Sequence, residues 1–482
     1  MTASLAGLDP ARNFFPEKIK HIHLMGICGT GVGALAGMLK SAGFMVSGSD
    51  QQVYPPMSDF LAGQGIAVQQ GYRPENLAHR PDLVVVGNVI RRDNPEALAL
   101  AGLGIPYASF PQALGHFFIR DLTSLVVAGT HGKTTTSSLL ATMLHELGAE
   151  PSFMIGGIVQ AFGRNFNIGA GPYFVAEGDE YDTAFFDKGP KFLHYRAKIA
   201  ILTSIEFDHA DIYSDLAAIR ASFAKLMAAM PADGTIVACG DDPVVREVCA
   251  GAKCRVLFYG EGEGNAWRLA GLEVSPAGTV FTVHLDGRPW GEGKNVLPGR
   301  HNALNALAVL AVLDLLGFAP EATLPALSRF KGVRRRQEVR GVVGGITVID
   351  DFAHHPTAVR ETLGALAGAY AGQRLVAVFE PRTNSSRRKV FQEAYSKAFD
   401  AAAEVLIREP APLDIPEDER FSCRQLVGDL ANRGRKARYF ASTEELLAYL
   451  GQSLVPGDVV AIMSNGGFDN IHQRLLDLMS AA

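Results

Sequence analysis

Gly129-Thr130-His131-Gly132-Lys133-Thr134-Thr135 lies between an apolar run, 124–128, and a helical pattern, 137–147. A glycine-rich turn between a strand and a helix aims backbone N–H groups and the positive helix end at one spot, which suits a phosphate. Lys133 adds a mobile charge for the outer phosphates, and the Thr134 hydroxyl can ligate the magnesium that accompanies ATP. The common form of this loop has four residues between its first glycine and Gly-Lys; here Gly129 and Gly132 enclose two. An ordinary glycine-rich turn is the alternative. Strand, Gly-Lys-Thr and helix together favour nucleotide phosphate.

Two acidic clusters follow. Glu177, Asp179, Glu180 and Asp182 come just after an apolar run, where an acidic ligand to magnesium would stand at the carboxyl end of a sheet. Glu206, Asp208, His209 and Asp211 follow another apolar run, 199–205. A solvated loop explains one such cluster; two of them beside a phosphate loop favour a site. His116, His145 and His284 read as surface or core residues.

Near the N-terminus, Gly29-Thr30-Gly31-Val32-Gly33-Ala34 fits a permissive dinucleotide turn, and Asp50 closes the next strand, where an acid can accept from a ribose hydroxyl. A tight packing turn, an NAD site and a UDP-sugar site all remain open on these residues. Later, Asn302 and Asn305 share one helix face, suited to a purine edge, although Asn302 would equally serve as a helix cap. Arg334-Arg335-Arg336 stands at a block junction, and Asp350-Asp351-Phe352-Ala353-His354-His355 gathers at a strand's carboxyl end.

The elements that must hold these groups alternate between short Val/Ile/Leu runs and helical patterns, the sequence form of α/β architecture. A chain of 482 residues suggests about three domains. The blocks expected are 1–119, 120–332 and 333–482, the outer two Rossmann-like and the central one a P-loop domain. Strands are expected at 21–25, 44–47, 83–86, 124–128, 199–205, 346–350, 375–379, 405–407 and 459–463, with antiparallel hairpins over 267–294 and a long helix over 300–316. The net charge of −5 suggests no nucleic-acid surface. Five scattered cysteines fit a reducing compartment and argue against a zinc site or a disulfide framework. The N-terminal segment has no apolar signal core, and no run is long enough to span a bilayer. The expected location is the cytoplasm.

GTHGKTTT, EGDEYD, EFDHAD, LPGRHNALNA and DDFAHHPT stand in the order and at the spacings of the Mur ligases, and the chain resembles that family over essentially its whole length. The short phosphate loop is the form that family uses. The resemblance implies ATP-dependent amide formation on bacterial cell-wall precursors, with ATP and Mg2+ as cofactors. By that resemblance, Gly129–Thr135 and Lys133 hold the phosphates; Thr134 and Glu177 ligate one magnesium and His209 a second. Asn302 and Asn305 hold adenine or order its pocket. Arg336, with Arg335 beside it, reaches the phosphates, Asp351 helps bind the nucleotide, and His355 lies near the reacting groups. Gly29–Gly33, Asp50 and Asn88 hold the UDP group, while Arg382, then Ser464 and Asn465, face the acceptor peptide.

Two branches share this N-terminal type, and both would bind UDP-N-acetylmuramate. EGDEYDTAFFDK, KFLHY, EFDHAD, EPRTN and MSNGGF look like the murein peptide ligase branch, which attaches the recycled tripeptide L-Ala-γ-D-Glu-meso-diaminopimelate. The alternative acceptor is L-alanine. An NAD-dependent oxidoreductase using the first glycine cluster would leave the phosphate loop and both acidic clusters unexplained, and a non-catalytic nucleotide-binding module is the remaining alternative. Several Mur ligases carry a carbamylated lysine in the helix after the DH motif. Here Phe223 falls at that register and Lys225 is not its equivalent, so no carbamate is expected.

Overall fold

The computed structural model describes residues 6–481; the first five residues of the N-terminal segment read above lie outside them. The chain forms two compact units. One runs up to Ile205 and adds Ile219–Leu257; the other comprises Glu206–Ala218 and the chain from Phe258 onward.

The first unit contains two larger sheets and a two-stranded hairpin. In one, five parallel strands lie in the order Ala67–Gln70, Met45–Asp50, His21–Met25, Leu83–Val86 and Tyr107–Ser109. Leu83–Val86 is buried at every position, as a parallel strand covered on both faces must be. The helix Pro95–Leu103 that follows it is bounded by local chemistry. Asn94 accepts the N–H groups of Glu96 and Ala97, Pro95 needs no donor, and Gly104 takes the left-handed conformation that ends the helix. In the other sheet, Thr235–Cys239, Ile199–Leu202, Thr123–Ala128, Tyr173–Gly178, Ser152–Val159 and Arg164–Asn167 are neighbours in that order. Its register aligns Leu202 with Ala128 and Ala128 with Gly178. The carboxyl ends of three strands therefore form one row, and the residues just past them must converge. A hairpin, Asp182–Ala184 with Asp187–Pro190, carries Ala184 and Phe186 into the core of the five-stranded sheet, where Phe186 meets Tyr107 edge-on.

The second unit contains the expected hairpins, Trp267–Ser275, Gly278–Leu285 and Arg288–Asn295. It also holds a six-stranded sheet in the order Glu338–Val343, Ile346–Asp351, Val459–Met463, Leu375–Phe379, Glu404–Arg408 and Lys436–Phe440. Only the first pairing is antiparallel. Met463 pairs with both Asp351 and Phe379, so residues 352, 380 and 464 emerge side by side.

Most expected elements lie within a few residues of their assigned ends, but Met45–Asp50 runs further than 44–47 and Ile199–Leu202 stops short of 205. The helix after the phosphate loop, Lys133–Glu146, begins earlier than expected. Gly132, at φ +79°, turns the chain directly into it, so Lys133 and Thr134 are already helical. Among the described residues no helix is long and apolar enough to cross a membrane.

Candidate active site

The phosphate loop leaves its strand at Gly129, with φ +128°. A side chain there would overlap Thr203 and Ser204, so only glycine fits. Those two residues follow the neighbouring strand and strap the loop down. Thr130 N–H donates to Ser204 O at 2.8 Å, His131 N–H to Ser204 Oγ at 3.1 Å, and Thr203 Oγ1 to His131 O at 2.5 Å. Sequence reasoning missed both; the available signal was two hydroxyls directly after Leu202, at the carboxyl end of an adjacent strand.

Lys133 donates to Gly129 O at 2.7 Å and to Glu180 Oε2 at 2.8 Å. Burial lowers its pKa, but the carboxylates of Glu180, Asp179 and Glu177 outweigh that and hold it above the usual lysine range. Thr134 donates to Glu177 Oε1 at 2.8 Å, while Glu177 Oε2 accepts Gly156 N–H at 2.7 Å. Burial, then the neighbouring charge of Asp179, raises the Glu177 carboxyl. A hydroxyl and a carboxylate so close at the edge of a phosphate loop are the hard oxygen donors magnesium takes. Thr135 is buried in the same helix. Glu180 stood in the acidic cluster and Lys191 in the KFLHY segment, but the partners that the structure gives them, Lys133 and Asp179, were not read from sequence. Lys191 pairs with Asp179 at 3.0 Å and lies over the Tyr181 ring, 4.0 Å from its centroid, which holds the EGDEYD turn in place.

Phe223 is fully buried and stacks on Phe192 at 5.7 Å, while Lys225 is exposed on the other side of its helix. Phe223, the residue that the resemblance puts at the carbamate register, is a core side chain.

In the five-stranded sheet, Gly29 caps the helix Thr30–Ser41 without a side chain, which leaves the first helical N–H groups open. Thr30 is exposed, and Gly31 packs beside the Phe110 ring. Val32 and Gly33 point inward: Val32 is buried, and a side chain at Gly33 would strike Ile27 O and Met57. Asp50 accepts Cys28 N–H at 2.8 Å and Gln52 N–H at 3.1 Å, bracing the glycine turn. Asn88 is exposed just past Leu83–Val86.

The remaining candidates lie in the second unit. His209, at φ +52°, is held through its N–H by Asp208 Oδ1 at 2.6 Å, and its carbonyl accepts from Ile212 and Tyr213. Burial raises the Asp208 carboxyl, but His209, His355 and His354 together hold it well below the carboxylate range. This loop packs on the C-terminal sheet. Phe207 stacks on Phe391, Ser385 Oγ accepts Ala210 N–H at 3.3 Å, and Asn384 donates to Asp211 at 2.9 Å. The structure thus groups His209 with the EPRTN loop, whereas Thr134 and Glu177 belong to the first unit. His355 caps the helix Pro356–Ala369: Nδ1 accepts Thr357 N–H at 3.2 Å and Nε2–H donates to Phe207 O at 3.1 Å.

Asn302 donates to Pro298 O at 2.8 Å and to Gln337 Oε1 at 3.0 Å, and Asn305 is buried one turn on. Arg335 is committed to structure, donating to Ser464 O and Gly466 O at 2.5 and 2.7 Å. Arg336 lies over the Phe352 ring at 4.7 Å. Asp351 accepts N–H groups from Gln337 and Ala353 at 2.8 and 2.7 Å, and burial raises its carboxyl. Arg382 is exposed and lies against Gly466, where a side chain would displace it. Ser464 Oγ donates to Glu380 at 2.7 Å, whose other oxygen takes Arg408 at 2.9 Å. Ser464 therefore builds the platform, and Asn465 is half-buried beside it.

Family models match three consecutive stretches: the Mur ligase family catalytic domain at residues 21–121, the Mur ligase middle domain at 127–313, and the Mur ligase glutamate ligase domain at 334–466. The chain belongs to the Mur ligase family. It is an ATP-dependent amide ligase with that family's three-domain α/β architecture. It is 41% identical to the UDP-N-acetylmuramate–L-alanyl-γ-D-glutamyl-meso-2,6-diaminoheptandioate ligase of Escherichia coli (strain K12), across 95% of this chain and 97% of that one. It is 37% identical to a UDP-N-acetylmuramate–L-alanine ligase of Nitratidesulfovibrio vulgaris (strain DP4), across 95% and 98%. The crystal structure of a murein peptide ligase from Psychrobacter arcticus 273-4 superposes with a TM-score of 0.71 at 33% identity, covering 96% of this chain and 99% of that chain.

Proposed function

We propose that this Mur ligase joins the lactyl carboxylate of UDP-N-acetylmuramate to the alanine amine of L-Ala-γ-D-Glu-meso-diaminopimelate, in murein recycling in the cytoplasm. The acceptor rests on one observation above the others: the 41% identity, nearly end to end, with a ligase named for that tripeptide. A relative named for L-alanine stands at 37%, which keeps that amine as the second reading. The three blocks, 1–119, 120–332 and 333–482, would take UDP-N-acetylmuramate, ATP and the acceptor peptide respectively, a division supported by the family matches at 21–121, 127–313 and 334–466.

In the reaction the lactyl carboxylate attacks the γ-phosphorus of ATP and ADP leaves, giving an acyl phosphate. The amine then attacks the acyl carbon, phosphate leaves, and the amine's proton passes to solvent. For such a transfer a protein supplies mainly position and opposite charge. Lys133 and the N–H groups of Gly129–Thr135 would hold the β- and γ-phosphates. Thr134 and Glu177 would hold magnesium, with His209 at a second ion; when bound, the metal neutralises the charge that builds on the phosphoryl oxygens. Asn305 faces the nucleoside with Asn302 ordering its pocket, and Arg336 and Asp351 serve the nucleotide. Gly29–Gly31, Asp50 and Asn88 hold the uridine diphosphate. Arg382, above the Ser464–Asn465 platform, takes a peptide carboxylate, and His355 stands near the reacting groups.

ADP release with ATP, UDP-N-acetylmuramate and either tripeptide or L-alanine tests the reading. Release with the tripeptide, and a product of the summed mass less water, is expected. Release with alanine and none with tripeptide would overturn the acceptor. Lys133→Ala should keep the fold and lose about 10²–10³ in turnover; full activity would sink the phosphate-loop assignment. A nicotinamide absorbance change on adding substrate would be needed to revive hydride transfer.

A further inference from the structure

The turn Arg335-Arg336-Gln337 enters the C-terminal sheet with two left-handed non-glycine residues, Arg335 at φ +61° and Gln337 at φ +50°. Such conformations persist where the surroundings enforce them and a function uses them. Here the enforcement is visible: Arg335 is tied to Ser464 O and Gly466 O, and Gln337 N–H to Asp351. The result is that the Gln337 side chain is driven inward, 8% exposed, beside Asn302.

The orientation of its amide follows from its neighbours. Pro298 O can only accept, so the Asn302 atom facing it is the nitrogen. That same nitrogen faces Gln337, so the Gln337 atom it meets must be the oxygen. The other end is therefore an NH2 group, and this Nε2 is buried with no hydrogen-bond partner among the described residues. Buried polar groups are almost always paired, and an unpaired one calls for a specific explanation. Asn305, on the same helix face as Asn302, is a second buried amide and makes no side-chain hydrogen bond among the described residues. These are neutral donors rather than cations, which suits the lone pairs of a nucleoside better than a phosphate.

We infer that Gln337 is a nucleoside-reading residue, its Nε2 donating to a ring nitrogen or ribose oxygen of ATP. This rests on the nucleotide reading of Asn302 and Asn305. The base and the ribose offer the same chemistry, and analogues separate them.

The test measures binding, by calorimetry on the full chain, of ATP, 1-deaza-, 3-deaza- and 7-deaza-ATP, 2′-deoxy-ATP and 3′-deoxy-ATP. Wild type is compared with Gln337→Met, which keeps length and apolar bulk but removes the donor. One analogue should bind wild type about tenfold more weakly than ATP, the scale of one neutral hydrogen bond, and Gln337→Met should lose about the same for ATP and nothing more for that analogue. Equal losses for every analogue in both proteins, as a water-satisfied amide would give, overturn the inference. So does a wild type indifferent to all five analogues, a result that stands even where the variant fails to fold. Wild type that binds ATP normally but releases no ADP with UDP-N-acetylmuramate and either acceptor would refute the ligase reading without touching this one.

Discussion

The pair between Lys133 and Glu180 is the point at which nucleotide binding should become measurable as stability. The side chains are 11% and 1% exposed, and their atoms are 2.8 Å apart. Glu180→Gln keeps the shape and removes the charge. Removing one partner of a buried pair costs about 3–5 kcal/mol. Asp179 and Glu177 still support the lysine, and the new amide can still accept from it, so the low end, about 3 kcal/mol, is expected without nucleotide. For a domain of 150–250 residues that lowers Tm by about 6–12 °C. With ATP and magnesium bound, Lys133 should leave Glu180 for the β- and γ-phosphates. Wild type then no longer has the pair to lose, and the difference should shrink to about 1 kcal/mol or less. The remaining 2 kcal/mol must appear as tighter nucleotide binding by the variant, about thirtyfold. Calorimetric melting and nucleotide titration of both proteins measure each side of this cycle independently. An equal loss of Tm with and without ATP, or unchanged affinity, would show that Lys133 stays with Glu180 and that the phosphates are held otherwise.

Other residues give shorter tests. His355→Ala should lose about 1 kcal/mol of helix cap and His355→Asn should recover it, because an asparagine oxygen can still accept Thr357 N–H; equal urea midpoints would refute the cap. Phe223→Ala should cost about 3–5 kcal/mol from the core, with Lys225→Ala neutral; lost ligation by a fully stable Lys225→Ala would reinstate that lysine as a metal bridge. His301 has its pKa lowered to about 4, chiefly by burial. The unfolded chain, near 6.5, then binds a proton that the fold refuses, so stability should fall as pH drops from about 6.5 to about 4. His301→Gln should flatten that part of the urea-stability profile, and an unchanged slope would refute it.

What was legible in the sequence was local. Gly132-Lys133-Thr134 announces a phosphate turn because a glycine at positive φ and a helix start are adjacent in the chain. LVVV announces a parallel strand because all four side chains must be apolar. Glu177 at the end of its strand was legible for the same reason, since parallel register gathers strand ends into one row. The partners were not. Thr203 and Ser204 strap a loop more than seventy residues away, Lys133 finds Glu180 across 47 residues, and Asn384 finds Asp211 across 173. No periodicity encodes such separations; they exist only once the sheets are assembled. The same limit applied to Asn302, read as either purine contact or cap. Its amide in fact braces Pro298 and Gln337, and only the assembled unit shows that.

The two strand-end acids, Asp50 and Asp351, sharpen this point. Each is the last residue of a parallel strand, and each was expected to meet a ribose or a phosphate. In the structure each holds two backbone N–H groups of neighbouring turns: Cys28 and Gln52 for Asp50, Gln337 and Ala353 for Asp351. A hydroxyl takes a third place on each, Tyr72 on Asp50 at 3.5 Å and Thr362 on Asp351 at 3.3 Å, and a carboxylate has about four lone-pair directions, so about one remains for a ligand hydroxyl in each case. The same acid can therefore shape the turn and read the nucleotide, and Asp→Asn cannot separate the roles, because it disturbs both at once. Ligand analogues can. A deoxyribose removes only the ligand's half of the contact and leaves the turn intact. A loss with deoxynucleotide smaller than the loss with Asp351→Asn would measure how much of that residue's effect is structural.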